Sequence, residues 1–357
     1  MASAGATPST PAQSQSSNPI GGRRLKELDM AGFIIRRLLY MIPMMFAISV
    51  VTFIIIQLPP GDFLTAMTAR LASQNETIDP GVIAGLRERY GLDQPWAVQY
   101  WKWISGILLR GDFGQSLDWN KPVSELIWAR MGLTMVVSVT TLLFVWAVAF
   151  PIGIYSAVRQ YSVGDYFATF FGFLGLAIPN FLLALVLMYV SAQYFGQSTG
   201  GLFSPAYINA VWSWAKLGDL ISHMWIPVVV LGTGATAALI RIMRANLLDE
   251  LNKPYVDMAR ARGLSEIRLL LKYPVRVALN PFVSTVGWVL PHLVSGSVVV
   301  SIVLSLPITG PLLLNALFAQ DMYLAGTFIL LMSMLTLIGT LISDLLLAWL
   351  DPRIRNG

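Results

Sequence analysis

Long uncharged runs separated by basic clusters are the dominant pattern of this chain. Leu38 to Leu58 carries no charge and follows Arg36 and Arg37, and Met131 to Val158 lies uncharged between Arg130 and Arg159. A third run starts after Asp165 and ends near Phe195, and a fourth, Leu220 to Ile240, lies between Asp219 and Arg241. From Val277 to Gln320 there is no Asp, Glu, Lys or Arg, a stretch too long for one crossing. Pro307 and Pro311 divide it into a span to about Leu306 and a turn or re-entrant segment. Met322 to Ser343 is the sixth run. Because about 20 apolar residues cross a bilayer as a helix, the pattern predicts an all-α membrane protein with six transmembrane helices.

Composition agrees. The 357 residues are 55% hydrophobic and only 12% charged, about half the charged fraction of a soluble domain. Length alone predicts two domains, and hydropathy overrides that. The net charge of +5 is read as orienting a membrane protein, not as a nucleic-acid footprint. With the N-terminus inside, the cytoplasmic side collects 16 of the 24 Lys and Arg residues. Most of the others lie between Pro59 and Arg130, a segment long enough to translocate whatever its charge. Both termini are therefore expected to be cytoplasmic. The expected organisation is a disordered tail over 1–29, a first transmembrane helix over 30–58 and a periplasmic region over 59–130. A transmembrane core of five helices over 131–350 follows, with a cytoplasmic loop at 246–280, then a tail over 351–357. The first tail is rich in Ser, Pro and Gln, too polar to bury a core. It lacks the apolar core of a cleaved signal peptide, so the first run is expected to act as an uncleaved anchor. With no cysteine and only His223 and His292, thiolate and His-rich metal sites are excluded, and no metal site is expected.

Two loops are too large to be mere connectors. The first, Pro59 to Arg130, has helical patterning around Trp96, Tyr100, Trp101 and Trp103. These aromatics suit an interfacial belt and equally a docking surface for a periplasmic partner. The second contains NKPYVDMARARGLSEIRLLLKYPVRVALNP, which predicts a helix, a Gly break and a second helix. Pro254 suits a first helical turn, and Tyr255, Val256, Ala259 and Arg262 fall on one face. Gly263 suits a left-handed terminus, Ser265 a following cap, and Ala259 and Ala261 leave room for another surface to approach. Judged alone, such a helix is more commonly membrane-surface packing. In the fifth run Ser284, Thr285, Trp288, His292 and Ser295 fall within about 120° of one helix face. They are candidate pore-lining residues, with Trp288 a stacking platform for a sugar face or a peptide side chain. The competing reading is hydrogen bonding between helices, worth about 0.6 kcal/mol each. Asp344, at the cytoplasmic end of the sixth run, is expected to pair with a basic loop residue and not to relay protons. No phosphate-binding loop exists, since the dipeptide Gly-Lys never occurs.

The segment Asp257-Met258-Ala259-Arg260-Ala261-Arg262-Gly263 resembles the Glu-Ala-Ala-x-x-x-Gly loop motif of ABC-importer permeases, with Asp in the Glu position. YVDMARARGL is similar to the dipeptide/oligopeptide/nickel permease family. FIIRRLLYMIP, PPGD (Pro59 to Asp62), RYGLDQPWAVQYWKWISGILLRGDFGQSL, AIPNF (Ala177 to Phe181) and DPRIR (Asp351 to Arg355) extend the resemblance in order over about residues 30 to 355. The resemblance implies that the loop helix is a coupling helix seated on a separate ATPase, with Tyr255 and Arg262 in the coupling segment. Gly263 then allows the turn, Ala259 and Ala261 close packing, and Asp257 an acidic contact. It also implies a second homologous permease, one or two ABC ATPase subunits and a periplasmic solute-binding protein. The chain itself would bind no cofactor and be no enzyme, ATP and Mg being used by the partners. The implied location is the bacterial inner membrane, and the implied solute an oligopeptide or oligosaccharide. Ser301 stands where many members have an acidic residue, and Pro307-Ile308-Thr309-Gly310 replaces a Pro-Gly-Leu-Gly turn. A secondary transporter or channel would show internal repeats and charges at span centres; neither occurs. A membrane-embedded hydrolase would need a nucleophile and base, and no motif supplies them.

Overall fold

The computed structural model describes residues 19–58, 61, 63–73, 79–196, 200–285 and 298–350, which form helices joined by turns, with no strand among them. Helix α1 (Pro19–Gln57) begins inside the segment expected to be a disordered tail, so residues 19–29 extend the helix. Arg23, Arg24, Leu25, Lys26 and Glu27 are strong helix formers, and lengthening an existing helix avoids the nucleation cost. Residues 1–18, 351–357 and Pro59, Pro60 and Asp62 lie outside the described residues. Three short helices follow: α2 (Phe63–Ser73), α3 (Pro80–Tyr90) and α4 (Trp96–Ser105).

A π-helical segment, Gly106–Arg110, continues α4, and the remaining α-helices are α5 (Val123–Val158), α6 (Val163–Ala177), α7 (Asn180–Phe195), α8 (Trp214–Leu251), α9 (Pro254–Ala261) and α10 (Glu266–Lys272). They end with α11 (Pro274–Ser284), α12 (Val298–Val303), α13 (Thr309–Phe318) and α14 (Met322–Leu350). Among the described residues four helical stretches are long and apolar enough to cross a membrane: Ile34–Gln57, Val123–Val158, Trp214–Leu251 and Met322–Ala348. The third expected span is not one helix: α6 and α7 meet at 104°. Pro179 disfavours helical geometry at Ile178, whose φ of −81° and ψ of 122° are extended. The fifth expected span is described only at its ends, α11 and α12. After it the chain turns at Pro307 and forms α13, as the two prolines predict.

The axis of the fold is the α5–α8 pair. A Cβ on Gly153 would fall 2.7 Å from the Met243 side chain, and one on Gly232 would fall 2.9 Å from Phe144. Small residues at these crossings let the helices meet closely, which is how packing stabilises helices where apolar burial alone gives no preference over lipid. Leu239, Met243 and Leu247 then bury against Val145, Ala149, Val275 and Phe282. Helix α14 lies against α1 and α11, and its Asp344 pairs with Arg37 at 3.1 Å. The expected structural ion pair thus forms, with its partner on α1 and not on a loop.

Candidate functional site

Past Arg241 and Arg244, α8 ends at Leu251 and the chain folds into the α9–α10 hairpin. Pro254 starts α9, a position where its missing N–H removes no hydrogen bond. Val256 and Ala259 bury against Leu269 of α10, flanked by Tyr255, Leu264 and Tyr273. The hairpin therefore has a small core of its own. Gly263 turns the chain with φ of +76°, a region costly for L residues, and its N–H donates to the Arg260 carbonyl at 3.0 Å. Nothing lies within 4 Å of the position a Cβ would take, so the backbone angle, not crowding, calls for glycine. Ser265 stands at the N-cap of α10 without a side-chain capping bond.

The outer surface is charged. Asp257, Arg260, Ala261 and Arg262 are exposed. Arg260 donates to Glu266 at 2.7 Å across the turn and to Asp257 at 3.1 Å along α9. The Glu266 carboxylate raises the Arg260 guanidinium above its ordinary value, and Arg260 holds Glu266 below the usual carboxylate range.

One anchor fixes the hairpin to α8, and a second fixes α8 to the bundle. Glu250, buried at the end of α8, accepts from the Tyr255 hydroxyl at 2.6 Å and from the Lys253 ammonium. Burial, with the Glu250 carboxylate beside it, pushes the Tyr255 hydroxyl far above its ordinary value, so it remains a donor. One helical layer deeper, Asp165 at the start of α6 accepts Arg244 Nε at 3.1 Å and its terminal nitrogen at 3.0 Å. The same carboxylate takes the Tyr161 N–H at 2.9 Å and the Ser156 hydroxyl. Such a forked, charge-assisted pair fixes orientation as well as distance. It ties the α5–α6 turn to the helix that carries the hairpin.

Of the residues singled out in this loop, Tyr255 and Ala259 thus face the hairpin interior with Val256, as the spacing predicts. Arg262 lies outside that face, beside exposed Asp257, Ala261 and Gly263.

A family model for the binding-protein-dependent transport system inner membrane component matches residues 149–356. The N-terminal model of the same transport-system membrane components matches residues 30–140. The chain belongs to this permease family. It is 38% identical to the oligopeptide transport system permease protein AppB of Bacillus subtilis, over 91% of this chain and 100% of that protein. The dipeptide transport system permease protein DppB of Alkalihalophilus pseudofirmus is 31% identical over 91% of this chain and 100% of its own. The glutathione transport system permease protein GsiC of Salmonella paratyphi A is 33% identical over 91% of this chain and 99% of its own. The protein is accordingly a multi-pass inner-membrane protein of an ABC transport system.

In this permease the four aromatics of α4 divide. Trp103 is buried against Phe53, Met322 and Leu330, and the Tyr100 hydroxyl lies 2.8 Å from Ser49 Oγ. These two clamp α4 onto α1 and α14, whereas Trp96 and Trp101 point outward, 53% and 68% exposed. Of the expected pore stripe, Trp288, His292 and Ser295 lie outside the described residues. Ser284 is exposed, and Thr285 is buried with its hydroxyl donating to the Phe282 carbonyl at 2.6 Å. Ser301 and the variant turn meet in space: a Cβ on Gly310 would fall 2.9 Å from Ser301 Oγ, and Ser301 donates to the Val298 carbonyl at 2.7 Å.

Sequence reasoning missed Glu250, Asp165, Arg244 and Asp321. Asp321, at the start of α14, accepts the Ser116 hydroxyl at 2.5 Å, Leu117 N–H at 2.9 Å and Leu324 N–H at 3.1 Å. It pins the segment before α5 to the last long helix. A partial signal existed for one pair: Asp165 bounds one apolar run and Arg244 lies one helical turn past Arg241, which bounds another, and a carboxylate and a guanidinium at the same end of a bundle are natural partners.

Proposed function

We propose that this permease is one of two that together form the translocation path of an ATP-driven importer for peptide-like solutes. Six spans with both termini cytoplasmic place the α9–α10 hairpin on the cytoplasmic face. There it seats on an ABC ATPase subunit, which binds ATP and Mg, while a periplasmic binding protein delivers the solute. The observation that carries this reading is the hairpin itself. It has its own core, a backbone angle that calls for glycine at Gly263, and an exposed charged surface built on Asp257, Arg260 and Arg262. A loop that merely connected spans would need none of these. Peptides are favoured over oligosaccharides because the relatives described above are named for oligopeptide, dipeptide and glutathione transport. Trp288, His292 and Ser295, with Ser284 and Thr285, are assigned to the solute path, and Trp96 and Trp101 to the face turned toward the binding protein.

The test is reconstitution. The permease, its sister permease, the ATPases and the binding protein are purified together and placed in proteoliposomes with labelled di- to pentapeptides outside. ATP-dependent peptide accumulation is expected, with the hairpin cross-linking to an ATPase. Uptake without ATP, or a hairpin that touches only lipid, refutes the reading.

A further inference from the structure

The π-helical residues Gly106–Arg110 that prolong α4 are held by membrane-spanning helices on one side and open on the other. Ile107 packs, with Trp103 and Ile104, against Phe53 of α1 and Met322 and Leu330 of α14. Phe53 stands four residues before the end of α1 at Gln57, and Leu330 eight residues into α14. At the helical rise per residue, the contact therefore lies about 6–12 Å inside both spans. The open side is apolar, Leu108 being 74% and Leu109 81% exposed. Arg110, next in the chain, is also exposed and forms no ion pair among the described residues. It lines a cleft of about 400 Å³ together with Lys102, Gln115 and Tyr323. Asp112, a carboxylate in the same cleft, is engaged by the Gly114 N–H, which donates to it at 2.9 Å.

We infer that Gly106–Arg110 dips into the outer leaflet of the bilayer, Leu108 and Leu109 meeting acyl chains while Arg110 and Lys102 hold a phospholipid phosphate. The choice of leaflet rests on the topology proposed above, which sets this segment on the periplasmic side; the contact with lipid does not. Depth decides the occupant. Interfacial helices bind with their apolar face sunk about 5–10 Å into the headgroup–acyl boundary, the level at which Ile107 is fixed, and a water-soluble partner docks above that level. Charge agrees with depth. A guanidinium forks onto phosphate oxygens, and long cationic side chains at a membrane surface lay their stems on apolar surface and extend their heads to the headgroups. Two leucines followed by an arginine on one turn thus match, in order, the acyl and phosphate layers of a lipid.

The test uses the whole importer in phosphatidylglycerol nanodiscs. The chain has no cysteine, so Leu108→Cys or Leu109→Cys carries one nitroxide, and the unsubstituted importer gives the background from the other subunits. Oxygen, which concentrates in lipid, is expected to relax both labels more than a water-soluble nickel chelate does, with the reverse at exposed Asp93→Cys. A label at 108 or 109 that nickel reaches, or that neither reagent reaches, overturns the inference, the first outcome meaning water and the second a protein cover. Phosphatidylglycerol with a photoreactive headgroup is expected to cross-link within residues 102–115. A Lys102→Gln/Arg110→Gln variant should lower that yield roughly thirtyfold, the factor two near-surface cations supply together. An unchanged yield in the variant, or loss of the wild-type cross-link to excess inorganic phosphate, overturns the headgroup contact. In spheroplasts an impermeant thiol reagent is expected to reach Asp93→Cys from the periplasmic side. Reaction only from the cytoplasmic side overturns the proposed topology, whereas periplasmic reaction with a nickel-accessible Leu108→Cys label overturns the lipid contact alone.

Discussion

Replacing Gly263 isolates the backbone contribution of the hairpin turn. At φ of +76° an L residue costs about 1–2 kcal/mol, and because nothing lies within 4 Å of the Cβ position no steric cost is added. Alanine therefore lowers the population of the observed turn roughly 5–30-fold at 1.4 kcal/mol per factor of ten. Asparagine, which visits the left-handed region more readily, is expected to lose less. Proline fixes φ near −65° and deletes the N–H that bonds Arg260 at 3.0 Å, so the turn must reopen, at a cost of about 3 kcal/mol or more. Permease variants in nanodiscs are titrated with the ATPase subunits to read Kd, and the reconstituted importer is assayed for ATP-dependent uptake. The expected order of loss is Asn, Ala, Pro, with Gly263→Pro inserted normally but more than a hundredfold weaker. A Gly263→Pro permease that binds the ATPase and imports at wild-type level refutes the reasoning.

Arg244→Ala leaves the buried Asp165 carboxylate without its forked partner, and breaking such a pair from one side costs about 3–5 kcal/mol. A clear fall in Tm in detergent is expected, and an Asp165→Asn/Arg244→Ala double variant should recover part of it. Tyr255→Phe removes the hydroxyl that holds Glu250 while keeping the ring in the hairpin core. The permease should stay folded while ATP-coupled uptake falls, and equal losses of folding and uptake would count against an anchoring role. Burial raises the Asp321 carboxyl above its ordinary 3.8 despite the bonds it accepts. The folded state therefore holds a proton that the unfolded chain releases, and stability attached to this group is lost as pH rises above 3.8 through the folded value. Relative to Asp321→Asn, which does not titrate, the wild type should gain Tm as pH is lowered from 7 toward 4; a constant difference would show that the carboxylate is not shifted.

The layout of the molecule was legible because charge is expensive in hydrocarbon, so charged residues mark where apolar runs stop. That logic located α5, α8 and α14 and the hairpin between Pro254 and Lys272. It failed at Ile178-Pro179, where hydropathy is continuous but geometry is not: an apolar run reports burial, whereas a proline reports direction. Residues 19–29 misled in the opposite sense, being too polar to pack yet good helix formers attached to a helix already made. Tyr255, Val256 and Ala259 were readable as one face from their spacing, but periodicity alone did not say that the face closes on Leu269. Glu250, Arg244 and Asp321 act through partners distant in the chain, and no local pattern announces such pairs.

Helix α8 extends without interruption from Trp214 to Leu251, 38 residues, or about 57 Å. One end carries the hairpin; near the other, Asp219 accepts the Ser204 N–H at 2.8 Å and its hydroxyl at 2.5 Å, gripping the loop before the helix. A strut of that length, tilted by roughly 5°, moves its far end by about 5 Å without breaking a single backbone hydrogen bond. Pro227 lies inside α8 between the two ends and removes one backbone hydrogen bond there, so a push on the hairpin reaches the Ser204 loop through that single softened position.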